Sequence, residues 1–330
     1  MTFLCAACQP DTVFFTCAYE IFPEVRRREQ AEVNSTTVEF LPAAAKGLAL
    51  ARRMPHMGPS GNDETAMSMT AVTEADAGRA GGGDFRIGSE AHKVLFCSMF
   101  LDSYDPYKPA VIEWPTLAPD ALARLTGLPF WDIAVRTEES ASRRMEALAG
   151  IADDPLIRQA VNLNAFEERR HKDVLGHMIR FYGIKLAAEE PYVAPTSPLW
   201  GFLRTGYGEC FDSFFAFGLF ALAKKSGFFP PALVEVFEPV IQEEARHNLF
   251  FVNWIAYETR RRNWLQRIPF RVKCLAALAC QAWARLSMAK RVDSNNFTAT
   301  SGTAMGLDLS PRSFFALCTA ENEPLTRILS

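Results

Sequence analysis

A repeated motif places the strongest constraint on what this chain can fold into. Residues 165–174 read AFEERRHKDV and residues 241–250 read IQEEARHNLF, so Glu-Glu-x-x-His occurs twice. In each copy the second glutamate and the histidine are three residues apart: Glu168 with His171, and Glu244 with His247. Because residues at that spacing share one face of a helix, each pair can reach a single metal ion. A carboxylate and an imidazole together suit iron or manganese.

The pattern around these motifs predicts an all-α fold. From about residue 90 onward, apolar side chains recur at helical spacing and alternating strand patterns are scarce. We expect long helices over residues 117–148, 155–182, 199–226 and 230–263, with a break or kink in the first at Pro129. An amphipathic helix over 270–291 is expected outside this bundle, and a last helix over 309–329.

Two isolated glutamates lie on the other two long helices. Glu138 interrupts an apolar stripe, whereas Glu139 is rotated by about 100° onto a more polar side. Glu209 is embedded in the almost wholly apolar stretch 206–223, where Asp212 is the competing acid one turn further on. A carboxylate in apolar surroundings needs a partner, so both glutamates are candidates for a buried polar site.

The four helices together supply the side chains of a two-metal site. Such a site in a four-helix bundle uses one glutamate from each of two helices and Glu-x-x-His from each of the other two. The gaps from Glu138 to Glu168 and from Glu209 to Glu244 are 30 and 35 residues, enough to follow one helix, turn and return to the same height. The candidate metal ligands are Glu138, Glu168, His171, Glu209, Glu244 and His247.

In order and spacing, residues 117–263 resemble the ferritin-like di-iron carboxylate superfamily. The resemblance implies a ferritin-like four-helix bundle with additional N- and C-terminal helices, with the long connection 183–200 as the crossover between its halves. It makes Glu138 and Glu209 terminal or bridging ligands, and Glu168 and Glu244 candidates to bridge. Val240 stands where the N-aryl oxygenases of this superfamily have a further histidine ligand, which argues against that subgroup.

The resemblance also implies a function. We expect two iron ions, with manganese as the other option, in an O2-dependent oxidase or oxygenase that acts on an unidentified small organic substrate. The chain shows no Gly-rich dinucleotide fingerprint, so the electrons would come from an external donor. One alternative is a ferroxidase, a peroxidase or a manganese protein without an organic substrate. Another is a non-catalytic helical binding protein whose acidic residues never meet.

The residues next to the candidate ligands have less specific sequence signals for their burial and contacts. Glu167 and Glu243 are expected at the surface, with a role in orienting ligands as the other reading. The arginines of the two motifs are expected to pair with nearby acids: Arg169, Arg170 and Arg246. The phenylalanines of 206–223 are interpreted as core packing in preference to a substrate pocket.

Composition limits the remaining options. A net charge of −3 gives no reason to expect a nucleic-acid partner, and no apolar run approaches the roughly 20 residues of a membrane span. Without a signal-peptide pattern we expect a cytoplasmic protein, and a homodimer stays open. Residues 1–89 are interpreted as a flexible extension, with Cys5 and Cys8 in an isolated CxxC, and residues 90–330 as the ferritin-like domain, its C-terminal helices lying in 270–330.

Overall fold

The computed structural model describes residues 86–128, 131–188, 191–291 and 310–329, which all belong to one compact unit, 84–330. Within these ranges the secondary structure is helical, without a strand, so the predicted all-α class is confirmed there. The proposed extension (except residues 86–89) and the CxxC lie outside the described residues. None of the described helices is both long and apolar enough to cross a membrane.

The helices are numbered here in chain order, and a 3-10 turn at Pro109–Val111 lies between the first two. They are α1 Glu90–Asp102, α2 Pro119–Thr126, α3 Trp131–Ala149, α4 Pro155–Tyr182, α5 Pro198–Ser226, α6 Pro231–Glu235, α7 Glu238–Arg261, α8 Trp264–Arg291 and α9 Pro311–Leu329.

Four long helices surround the core. α3 packs against α4 and α5, and α7 packs against α5 and α4. α1 lies against α7 and α4, while α8 and α9 lie against α5. The large apolar side chains buried most completely between them are Met145, Met178, Phe202, Leu203 and Phe250.

Local signals explain the ends of α4. The carboxylate of Asp154 accepts hydrogen bonds from the backbone N–H groups of Leu156 and Ile157, which are otherwise unsatisfied at a helix start. Pro155 fits the first turn because its missing N–H costs nothing there. Gly183 ends the helix in the left-handed region at φ 66°, which glycine adopts without strain. The predicted range 155–182 is therefore confirmed.

Other boundaries differ from the sequence-based prediction. The predicted break in the first helix is confirmed, since α2 and α3 are separate helices on either side of residues 127–130, but the first of them begins at Pro119 instead of residue 117. The fourth is divided into α6 and α7 by a turn at residues 236–237. Pro239 lies in the first turn of α7, where its missing N–H costs nothing, whereas in one continuous helix that N–H would be needed to bond a carbonyl four residues earlier. α8 begins at Trp264 instead of residue 270, because the side chain of Asn263 caps it by accepting from the N–H of Gln266.

A close approach sets the distance between α5 and α7. Gly206 lies directly against the buried ring of Phe251, and a Cβ at residue 206 would overlap that ring. Glu209 follows one turn later on the same helix. The small residue therefore lets α5 bring Glu209 near the motif on α7.

Candidate metal centre

The four long helices bring the six candidate ligands together in the interior. Their donor atoms form two groups, within each of which the atoms lie within 4.8 Å of one another. One group contains Glu138, Glu168, His171 and Glu244, and the other contains Glu168, Glu209 and His247. Glu168 belongs to both groups, and Glu244 of the first group lies 3.9 Å from the Nδ1 atom of His247 in the second.

Burial differs across the cluster. Glu168, His171 and His247 are at most 1% exposed, and Glu209 is 8% exposed. Glu138 and Glu244 are less enclosed, with 18% and 15% of their side chains exposed. The cluster is therefore closed on the side of Glu209 and His247 and accessible on the side of Glu138 and Glu244.

Each histidine is held by the other motif. The Nε2 atom of His171 lies 2.8 Å from a carboxylate oxygen of Glu243 on α7, and the Nε2 atom of His247 lies 2.9 Å from Glu167 on α4. With an N–H on Nε2 donating to the glutamate, the Nδ1 atom keeps its lone pair and faces the cluster. A hydrogen bond of this kind fixes the tautomer and ring orientation of a metal-binding histidine.

The expectation that Glu167 and Glu243 lie at the surface was wrong. They are 0% and 2% exposed, and each bonds a histidine across the bundle. Two adjacent helical residues differ by about 100° in direction, so both can face the interior when a helix such as α4 has α1, α3 and α7 around it. The doubling of the glutamate at the same place in both motifs was the sequence signal for this role.

The motif arginines complete the cross-links. Arg170 pairs with Glu243 and donates to the carbonyl of Asp105 at 3.1 Å. Arg246 donates to Glu167 at 3.0 Å and to the carbonyl of Phe100 at 2.9 Å. Their predicted pairing with acids is confirmed, as is that of Arg169, which pairs with Glu146 near the surface. Unlike that exposed pair, the other two tie α1 and its following loop to both halves of the site.

Tyr107 covers the site from that loop. Its hydroxyl lies 3.4 Å from Glu243, and its ring lies against the guanidinium of Arg170, 3.9 Å from the ring centroid. Burial raises the pKa of Tyr107 to about 12, so the phenol keeps its proton at neutral pH and can donate it to the carboxylate.

Four side-chain atoms that could bind a metal ion are buried without a hydrogen bond among the described residues: Glu168 Oε1, His171 Nδ1, Glu209 Oε1 and His247 Nδ1. Leaving such atoms without any partner is unfavourable. His247 Nδ1 lies 2.9 Å from a Glu168 oxygen, and His171 Nδ1 lies 3.1 Å from a Glu244 oxygen. Two ligands at ~2.1 Å from one ion and at right angles to each other are ~3 Å apart, so these spacings fit shared coordination.

The pKa values of the clustered side chains reflect their crowding and burial. Burial raises the pKa of Glu138 to about 8, and burial together with the charges of Glu168 and Glu244 raises the pKa of Glu209 well above its usual range. Burial alone would lower the histidine pKa values, yet the surrounding carboxylates raise the pKa of His171 and of His247 well above the usual value. Bound protons thus offset the charge of the four crowded carboxylates, and two divalent cations would balance the same four negative charges in place of those protons.

Asp212, the acid that competed with Glu209 in the sequence, belongs to a different contact. It pairs with Arg285 of α8, whose Nε atom lies 3.0 Å from it. The phenylalanines of the same stretch include Phe214 and Phe215, which pack against Phe315 and Phe314 of α9. Their interpretation as packing residues is therefore confirmed for these two.

A surface cavity of about 470 Å³ lies between α3 and α4. Its lining is polar and includes none of the six candidate ligands: Glu139, Ser142, Arg143, Glu146 and Arg169. No protein-family model, no curated protein and no solved structure matches this chain.

Proposed function

We propose that the protein is a ferritin-like, carboxylate-bridged di-iron oxidoreductase that uses O2 to oxidise a small organic substrate. One observation carries the proposal: four buried donor atoms from three different helices lack hydrogen bonds and converge in two groups that share Glu168. This arrangement supports two neighbouring metal positions joined by a carboxylate, as in two-metal sites of helical bundles.

The donor set fits two hard to borderline divalent ions. Glu138 and His171 would serve one position, and Glu209 and His247 the other. Glu168 and Glu244 approach both groups and are suited to bridge them. Carboxylates with one imidazole per metal favour iron or manganese over the softer metals that cysteine selects. Bound ferrous iron would supply the electrons that reduce O2.

The residues around the six candidate ligands would orient those ligands and balance charge beside them. With each histidine in its Nε2–H tautomer, Glu167 and Glu243 would accept from the Nε2–H groups and direct each Nδ1 lone pair inward. Arg246 and Arg170 neutralise these two carboxylates, which limits the negative charge in the interior. Phe100 packs beside His247 and helps to exclude water on that side.

The accessible side of the cluster is where reactants would enter. Glu138 and Glu244 keep partial solvent exposure, whereas the side of Glu209 is closed. O2, a substrate and electrons from a separate donor protein would therefore approach from between α3 and α7.

Metal stoichiometry tests the proposal directly. We expect purified full-length protein, loaded anaerobically with Fe(II) and desalted, to retain two iron ions per chain. After exposure to O2, Mössbauer spectra should show a coupled diferric pair. Retention of no iron, or of isolated uncoupled ions, would contradict the proposal. Parallel loading with Mn(II) measures the preference between the two metals.

A matched pair of variants tests the register of the ligands. Glu138→Gln removes a candidate ligand, whereas Glu139→Gln changes the adjacent glutamate, which pairs with Arg143 and Lys172 outside the cluster. We expect Glu138→Gln to lower the retained iron to about one ion per chain or fewer, and Glu139→Gln to retain two. Equal iron contents in the two variants would refute the assignment.

O2 consumption separates oxidation of a substrate from simple iron oxidation. With an artificial electron donor, an oxidase or oxygenase consumes O2 repeatedly when a suitable substrate is supplied. A ferroxidase consumes O2 only in proportion to the Fe(II) added. A diferric pair in a protein that consumes O2 only in proportion to the added Fe(II) would favour the ferroxidase alternative.

A further inference from the structure

The outer face of α8 is apolar along nearly its whole described length. Its large apolar side chains are between 55% and 69% exposed: Trp264, Leu265, Ile268, Val272, Leu275 and Trp283. The opposite face is buried against the bundle through Phe270, Cys274, Ala277 and Gln281. At about 100° per residue, the exposed set forms one stripe directly opposite the buried set. α8 is therefore apolar on two sides, and only one of them has a partner among the described residues.

The charges of α8 identify the kind of partner. The 28 residues of Trp264–Arg291 include six lysines and arginines and no aspartate or glutamate. This contrasts with the net charge of −3 of the whole chain. Arg271 lies along one edge of the stripe and Lys273 along the other, and neither forms an ion pair with a described residue. The stripe thus has cationic borders whose charge is not neutralised locally.

Two tryptophans lie near the ends of the stripe. Trp264 and Trp283 are 19 residues apart, about 28 Å along the helix axis, and both are 69% exposed. Tryptophan favours the boundary between lipid headgroups and acyl chains, because its ring is apolar and its N–H needs a polar partner. A helix with aromatic and aliphatic residues on one face and cations beside them is suited to lie in the plane of a membrane surface.

We infer that α8 docks the protein onto the surface of an anionic phospholipid bilayer. The apolar stripe enters the headgroup boundary, while Arg271 and Lys273 contact lipid phosphates and carboxylates on either side. This inference does not depend on the proposed metal chemistry, since α8 contributes none of the six candidate ligands.

Charge also argues against a second copy of the chain as the occupant. Two α8 stripes facing each other would bring the cationic borders of both copies together, without acidic residues on either helix to compensate. Like charges at that distance are unfavourable. An anionic membrane supplies the opposite charge along the whole length of the helix.

Co-sedimentation of the full-length chain with vesicles tests the inference. We expect binding to vesicles of phosphatidylcholine mixed with phosphatidylserine, and at least about fivefold weaker binding to phosphatidylcholine alone. The double variant Ile268→Glu/Val272→Glu should bind the mixed vesicles more weakly than the unaltered chain, by a factor of about ten or greater. The variant Arg271→Glu/Lys273→Glu keeps the apolar stripe intact, and its affinity for mixed vesicles should fall by a similar factor.

The matched control places the same chemical change elsewhere. Val111→Glu/Ile151→Glu alters two exposed aliphatic residues away from α8, and its vesicle binding should equal that of the unaltered chain. Circular dichroism and thermal unfolding confirm that all variants are folded. Because the altered α8 side chains are exposed, folding should survive in each.

Three results would overturn the inference. One is no vesicle binding by the unaltered chain. Another is a loss of vesicle binding in the control Val111→Glu/Ile151→Glu that equals the loss in the α8 variants. The third is a dimer in sedimentation velocity that Ile268→Glu/Val272→Glu dissociates, with no lipid binding, which would make a second copy the occupant of the stripe.

Discussion

The interior between α4 and α7 and the outer face of α8 have opposite chemistry, and each departs from the usual sorting of side chains. Between α4 and α7, glutamates, histidines and an arginine are almost fully buried: Glu167, Glu168, Arg170, His171, Glu243 and His247. On α8, tryptophans and aliphatic residues are exposed. The first departure is unfavourable unless every charge has a partner, whereas the second has little effect on folding because the side chains are exposed in both states.

This difference separates two kinds of functional surface. A buried polar cluster is coupled to the stability of the fold, because a buried member such as Arg170 depends on another, Glu243, for its ion pair. An exposed apolar stripe is independent of the fold and depends on an external partner. Substitutions should therefore lower the free energy of unfolding strongly in the first region and hardly at all in the second.

The largest effect is expected for Glu243→Ala. The change leaves the buried Arg170 without its close carboxylate and His171 without the partner of its Nε2 atom. Removal of one partner from a buried pair costs about 3–5 kcal/mol. We expect a loss of that order in the free energy of unfolding of the metal-free protein, measured by urea denaturation.

The control for that variant is Glu146→Ala. Glu146 also pairs with a motif arginine, Arg169, but both side chains are about half exposed. Exposed pairs contribute about 1 kcal/mol or less. If the two variants were equally stable, the polar interior would not be coupled to the fold in the way the comparison requires.

A smaller effect is expected where α5 meets α7. Gly206→Ala places a methyl group into the ring of Phe251, and overpacking of this kind costs about 1–3 kcal/mol. Because Glu209 follows on the same helix, iron retention should also fall. Gly176→Ala on α4 is the matched control, since its Cβ would meet only the flexible end of Arg180 at 3.4 Å. The same loss in both variants would exclude close packing as the cause.

The start of α4 should respond to pH. Asp154 caps this helix and pairs with Lys93 of α1. Burial opposes its charge, but Lys93 and the backbone N–H groups outweigh burial and lower the pKa of Asp154. A lowered pKa gives stability that is complete above the unfolded pKa of about 3.9 and is lost as the pH falls through the folded value.

We therefore expect Asp154→Ala to lower the free energy of unfolding by about 1–2 kcal/mol at pH 7, and the difference from the unaltered chain to shrink below pH ~4. Thermal and urea unfolding across that range measure it. Asp153→Ala changes the exposed acid next to it and should have almost no effect at either pH. A difference that grew towards low pH would show that the carboxylate is not the stabilising form.

The sequence predicted those features that local signals determine. α4 could be placed at both ends, because Asp154, Pro155 and Gly183 act within a few residues of themselves. The meeting of the six candidate ligands followed from spacing along helices of known rise. The inward position of Glu167 could not be predicted in the same way, since it depends on how closely α4 and α7 cross.

The early start of α8 was missed for a related reason. The cap at Asn263 holds the first turn of α8 in place and the helix continues through Pro269, so it starts six residues before the predicted residue 270. Those first turns carry Trp264, Leu265 and Ile268. A helix predicted to start at residue 270 therefore contains only the other half of the exposed stripe. The predicted amphipathic pattern had one apolar face, whereas the packed helix has two.

The smallest effect is expected on that second face. Leu275→Ser replaces an exposed leucine of α8 and should change the free energy of unfolding by no more than about 0.5 kcal/mol, because the side chain is largely hydrated in both states. Phe270→Ala on the buried face of the same helix removes a ring that packs on Trp254 and should cost about 3–5 kcal/mol. Urea unfolding of the two variants in the absence of lipid makes the comparison within one helix. A large loss for Leu275→Ser would mean that the stripe is covered by another part of the folded chain, and the contrast between a coupled interior and an independent outer face would then fail at α8.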